Sequence, residues 1–181
     1  CGYQLSTLPR LAHLIVVASS VHFGFSEKAR QNVFDQGDQA QIDICENYLW
    51  PGKLTDKNLP VFFSLMKTLY SYKARIAEKP VKNYNDPCNV TFLNALLASN
   101  FDRFDFRDHL PRITVPVDWI CGYLDWITVV EQADDCEKYI PMCTCHRLEN
   151  CSHSVAIDQT ERYADILTGV MGLYQKQGVV A

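Results

Sequence analysis

ITVPVDWICGYLDWI, residues 113–127, decides how this chain is read. From Ile113 to Leu124 the stretch is apolar and rich in β-branched and aromatic residues, and only Asp118 interrupts it. Near-continuous apolar character over strand length marks a strand covered on both faces, as in a parallel sheet. Asp125 then stands at the strand's carboxyl end, where an acid is costly unless it is solvated or paired. Downstream, TVVEQADDCEKYI (128–140) reads as a helix with acidic early turns, which suits the helix dipole. TCHRLEN (144–150) reads as a short strand, and CSHSV leads from it into a closing amphipathic helix. There Ile157, Tyr163, Ile166, Leu167, Val170 and Leu173 fall near one face.

Upstream, LAHLIVVAS (11–19) is another apolar, β-branched strand, expected to be buried on both faces. Before it, CGYQLSTLPR reads as a helix end stopped by Pro9. Between the two strands the character changes. FSEKARQNVFDQ, LPVFFSLMKTLYSYKARIAEK and NVTFLNALLASNFDRF are helical patterns punctuated by Pro51, Pro60, Pro80 and Pro87. The order is helix, strand, helical insert, strand, helix, strand, helix, which predicts an α/β fold with a parallel sheet. Ligand sites in such sheets lie at the carboxyl ends of the strands. That singles out Ser19–Ser26, Gly122–Asp125 and Cys151–His153.

Composition narrows the function classes. A net charge of −4 with no basic run speaks against a nucleic-acid groove. The longest apolar run, LAHLIVVASSV, is too short to span a bilayer, and peripheral membrane contact stays open. No signal-peptide pattern precedes the first strand; the compartment is left open, with an intracellular site, cytoplasmic or mitochondrial, favoured. The chain starts at Cys1, which implies processing or an incomplete record. Cys136, Cys143, Cys145 and Cys151 crowd together near His146 and His153. Their spacing lacks the paired knuckles of structural zinc sites. Buried free thiols, no metal and no cofactor are therefore expected.

Asp125 and His153 end successive strands, so adjacent parallel strands would bring them together. An acid that orients a histidine, which in turn deprotonates a hydroxyl, is the logic of nucleophilic acyl transfer. The competing reading makes Asp125 a helix cap and His153 an ordinary turn residue. From Ser6 onward the chain resembles the second half of an α/β-hydrolase-fold protein. LPRLAHLIVVASS resembles the strand after the nucleophile helix, ITVPVDWICGYLD the strand bearing the triad acid, and RLENCSHSVAIDQTERYADIL the turn bearing the triad histidine. The resemblance implies residues 1–26 as partial core, 27–110 as a helical cap insertion and 111–181 as the core carrying acid and histidine. It implies Asp125 as triad acid and His153 as general base. Asp125-Trp126-Ile127, the His153…Asp158 spacing and the 92–127 stretch further resemble the 4/5 subgroup of α/β-hydrolase-domain lipid enzymes, cardiolipin-deacylase-like and lipase-coactivator-like. That makes Asp158 and Trp126 secondary site candidates, against helix N-terminal capping for Asp158. Phe62, Phe63, Met66, Leu69 and Tyr70 become candidates for an acyl pocket, against simple packing.

Such a hydrolase needs a serine in G-x-S-x-G on a strand-to-helix turn, and that motif is absent from the 181 residues. Gly24-Phe25-Ser26-Glu27-Lys28 is half of it, with Lys28 where the second glycine belongs. Cys1 is a weaker alternative nucleophile. The expected function is a serine-type acyl-ester hydrolase or acyltransferase acting on lipid-like substrates, its serine supplied from outside this chain. A catalytically inactive hydrolase-fold subunit with a structural or regulatory role is the alternative, and a metal module on the cysteines a third reading. The first strand is expected to need its own missing half or a partner subunit along its open edge.

Overall fold

The computed structural model describes residues 11–77, 88–98 and 103–176. The helix end read at CGYQLSTLPR, and Cys1 with it, lie outside them. Three parallel strands form the sheet, in the order β1 (Leu14–Val17), β2 (Val117–Gly122), β3 (Cys143–Leu148). Leu14 pairs with Val117, and Val117 with Cys143. The apolar run at 113–124 supplies the central strand. Its period-two alternation serves two faces. Val117, Trp119 and Cys121 pack on one side with Ala133 and Cys136 of α6 (Gln132–Tyr139) and with Ile140 just after it. Ile120 packs on the other side with Leu148, Val155 and Ile166.

The first strand departs from expectation. All four β1 residues are only half-buried. Among the described residues β1 pairs on one side alone, so part of its apolar surface has no strand to cover it.

The helical insert comprises α1 (Phe25–Gln36), α2 (Gln39–Ile44), a π turn at Cys45–Leu49, α3 (Leu59–Tyr70), α4 (Tyr72–Ile76) and α5 (Val90–Ala98). The break between α3 and α4 falls at Ser71, whose extended backbone (φ −139°, ψ 127°) stops one helix and whose hydroxyl accepts from Ala74 N to start the next. The start of α2 was legible but unread. Asp38 accepts from Gln41 N and the Gln41 side chain accepts from Asp38 N, a reciprocal cap. Leu59, Phe62, Met66 and Leu69, one face of α3, join Val33, Ile44, Leu49 and Trp126 in a second core. The closing helix is also interrupted: α7 (Val155–Asp158) and α8 (Thr160–Lys176) meet at Gln159.

A polar bridge crosses the sheet on the α8 side. Asp118 Oδ2 accepts from His13 Nε2 at 2.6 Å, and Asp118 Oδ1 bonds His146 Nε2. His13 Nδ1 meets Tyr174 of α8 at 3.0 Å. One carboxylate on β2 thus holds the approach to β1, the middle of β3 and, through His13, the last helix. Asp118→Asn leaves at most one good acceptor for two imidazoles. It is expected to cost about 2 kcal/mol, read as a lower urea midpoint at unchanged m. A midpoint equal to wild type would show that the bridge adds nothing.

Among the described residues no helix is long and apolar enough to cross a membrane.

Candidate active site

The strand ends after β2 and β3 meet because Gly122 lets them. A Cβ at residue 122 would lie 2.6 Å from the carbonyl carbon of Cys151 and 2.6 Å from the carbonyl oxygen of Ser152, both backbone atoms. With only a hydrogen there, the loops close. Tyr123 N donates to Leu148 O (3.1 Å) and Leu124 N to Cys151 O (2.9 Å). Asn150 takes the left-handed conformation (φ 51°) that turns the chain out of β3, one that asparagine tolerates.

This closure sets Asp125 against His153. Asp125 Oδ2 accepts from His153 Nδ1 at 2.9 Å. The carboxylate is buried and its other acceptor sites are filled. Oδ1 accepts from Ile127 N and Thr128 N, each at 2.9 Å, and Oδ2 also accepts from Thr128 Oγ1 at 2.6 Å. Asp125 therefore caps its own turn and holds the histidine at once. The capped turn precedes α6, which starts only at Gln132. Since a carboxylate only accepts, Nδ1 carries the proton and Nε2 is left with its lone pair. The His153 side chain remains 29% exposed.

The ring is braced from the insert. Tyr70 stands edge-on to His153 (centroids 5.6 Å apart) and edge-on to Trp126 (5.3 Å). Burial pushes the Tyr70 phenol well above its usual pKa, so it stays neutral beside the imidazole. Trp126 is fully buried; its carbonyl accepts from Asn32 Nδ2 at 3.2 Å. Its ring packs in the insert's core, against Trp50 and Tyr70. Asp158 does cap a helix, but not its own. It caps α4, accepting from Tyr72 N (2.8 Å), Lys73 N (3.1 Å) and Ser71 Oγ (2.6 Å), and it also accepts from Ser152 N (2.8 Å).

The pocket expectation needs correction. Phe62, Met66 and Leu69 are interior residues of the insert's own core. They are spaced to share one helix face, and that face packs inward. Phe63, 36% exposed, and Tyr70 stay at the margin of the site, their rings 6.4 Å apart.

The Ser19–Ser26 segment bonds elsewhere. Ala18 leaves β1 with a left-handed φ of 44°. Val21 N then donates to Gln132 Oε1 (2.8 Å), while Phe23 N donates to Phe104 O (2.8 Å). Ser26 lies in the first turn of α1, its N–H donating to Phe23 O. The nearest histidine in its loop, His22, is bonded to Gln132 and Asp135. Cys151, two residues before His153, is no stand-in nucleophile. It is buried, its thiol donates to Ser152 O, and burial pushes its pKa up to about 12, so little thiolate forms at neutral pH. Cys121 is likewise raised to about 12 by burial.

No family model matches the chain. Part of it is 31% identical, over 71 residues, to the monoacylglycerol lipase ABHD6 of Homo sapiens, covering 39% of this chain and 21% of that protein. A 68-residue stretch is 32% identical to the pimeloyl-[acyl-carrier protein] methyl ester esterase of Vibrio vulnificus, covering 38% of this chain and 27% of the esterase. The structure of an alpha/beta fold family hydrolase from Bacillus anthracis str. Sterne superposes with a TM-score of 0.66 at 14% identity, over 93% of this chain and 63% of that one. The matched regions thus span less than two thirds of these proteins' own length, and under a third of the two named enzymes. The chain has a partial α/β-hydrolase fold: three parallel strands with their helices.

Proposed function

We propose that the protein containing this chain is a serine-type acyl-ester hydrolase or acyltransferase in which His153 is the general base and Asp125 its orienting acid. The observation that carries this is the Asp125 Oδ2–His153 Nδ1 bond at 2.9 Å, made by a carboxylate whose other acceptor positions are filled by Ile127, Thr128 N and Thr128 Oγ1. Such a carboxylate is held in place. It fixes the imidazole's tautomer, presents Nε2 and stabilises the imidazolium formed when Nε2 takes a proton. In this reading a serine from outside these 181 residues attacks the acyl carbon while His153 accepts its proton, then returns that proton to the leaving alkoxide. A water, or an acceptor alcohol in the acyltransferase case, completes the cycle. In this reading the element that bears the serine, in the same polypeptide or a partner subunit, also covers the free edge of β1.

The substrate class is lipid-like. Phe63 and Tyr70 offer an apolar, aromatic wall beside His153, suited to an acyl chain, and the partial identity to a lipase and a methyl ester esterase supports an ester bond as the point of attack. The Asp125-Trp126-Ile127 run and the His153…Asp158 spacing support a place in the 4/5 subgroup of α/β-hydrolase-domain lipid enzymes.

Labelling tests it. The intact protein, treated with a fluorophosphonate, is expected to gain one adduct, mapped by peptide mass spectrometry to a serine in G-x-S-x-G. Absence of any serine adduct in protein that is folded would overturn the reading.

A further inference from the structure

The insert and the histidine loop are joined by more than apolar contact. Residues 69–73, at the α3–α4 break, and residues 152–158 are joined by five hydrogen bonds. Ser152 Oγ donates to Leu69 O, and Ser154 N donates to Tyr70 O at 2.8 Å. Asp158 closes the ring from the other side, through Ser71 Oγ, Tyr72 N, Lys73 N and Ser152 N. His153 sits between the two serines so gripped, with the Tyr70 ring against its own.

Asp158 is 5% exposed and receives four donors. A buried carboxylate so fully satisfied has no acceptor capacity to spare for a substrate or for the imidazole. Its bonds reach only backbone and Ser71. Hence it cannot be a second acid for His153. Its mechanical reach, however, spans both walls of the site: Ser152 N precedes the histidine, and Ser71 to Lys73 follow Tyr70.

We infer that Asp158 is a positioning residue, which ties the α3–α4 break to the loop of His153 and so keeps the imidazole on Asp125. Its catalytic meaning rests on the proposed hydrolase reading; its structural claim does not. Asp158→Asn keeps the shape but turns an amide N–H₂ toward backbone N–H donors, so one bond is lost if the amide nitrogen takes the Oδ1 position, where Ser71 Oγ can accept instead, and two if it takes the Oδ2 position. The loop then loosens, and His153 spends less time bonded to Asp125. Small displacements of a base cost turnover far more than binding.

The test is NMR of the intact protein labelled with ¹⁵N-histidine. The Nδ1-bound proton of His153, assigned by its loss in His153→Gln, reports the bond to Asp125. In Asp158→Asn its exchange with solvent is expected to quicken about tenfold, with kcat lower by about tenfold and KM within about twofold. Ser71→Ala removes a single donor and is expected to give about a threefold change in the same exchange rate, which Ser71→Thr restores. A folded Asp158→Asn protein with wild-type exchange overturns the inference. Should that variant fail to fold, Ser71→Ala decides: unchanged exchange overturns, faster exchange supports. Wild-type protein without esterase activity sinks the functional proposal alone, since the proton exchange still reads out the role of Asp158.

Discussion

With His153 replaced by alanine, the intact protein is expected to lose ester turnover by about 10⁴- to 10⁶-fold. The reason is local. Nδ1 is bound to Asp125, so Nε2 is the one ring nitrogen that can take the nucleophile's proton, and no neighbouring group replaces it. Tyr70 is held neutral by burial and Cys151 stays a thiol. Asp125→Asn should cost on the order of 10⁴ in kcat. The asparagine can still accept from Ile127 and Thr128, so the turn survives, but an amide N–H₂ facing Nδ1 selects the other tautomer and removes the base. Substrate affinity should barely move in either variant, because neither side chain belongs to the apolar wall. The measurement is steady-state kcat and KM on a chromogenic acyl ester, with burst amplitude as a check on acyl-enzyme formation. Turnover within tenfold of wild type for His153→Ala would remove this histidine from the mechanism.

Gly122→Ala is expected to destabilise the fold by about 3 kcal/mol, the upper part of the range for overpacking. The added methyl meets the backbone of Cys151 and Ser152 at 2.6 Å or closer. Backbone cannot swing aside as a side chain can. Relief comes only by parting the loops after β2 and β3, which breaks Leu124 N to Cys151 O and Tyr123 N to Leu148 O. The same parting draws Asp125 from His153. A urea titration should show a lower midpoint at unchanged m, and esterase activity should fall more steeply than the folded fraction. A variant as stable as wild type would mean that the two loops are not in contact as described.

The apolar runs made the strands legible, since a buried parallel strand shows itself residue by residue. They did not show that β1 would stay half-covered, because exposure depends on what lies beside a strand, not on the strand. Phe62, Met66 and Leu69 share one face of α3 by helical spacing. Which way that face turned was beyond it: a stripe that packs a core and a stripe that lines a pocket have the same period. Phe63 and Tyr70 lie off the stripe and so received the site's margin. The Asp38–Gln41 cap of α2 was readable from spacing alone, and its short helix went unread because it lacks a long apolar face.

What the sequence by itself determined is the set of local decisions. It placed strands within 11–19, 113–124 and 144–150, an acid at the end of one and a histidine after the next. Each follows from side-chain period and chain order, which neighbouring residues set among themselves. Only the tertiary structure decided the partners of the polar groups. Asp118 takes His13 and His146, Asp125 keeps His153, and Asp158 reaches back to Ser71, Tyr72 and Lys73. A buried carboxylate must be satisfied, but any donor in reach will serve. Reach is a property of the packed chain, fixed here by contacts as small as the missing Cβ of Gly122.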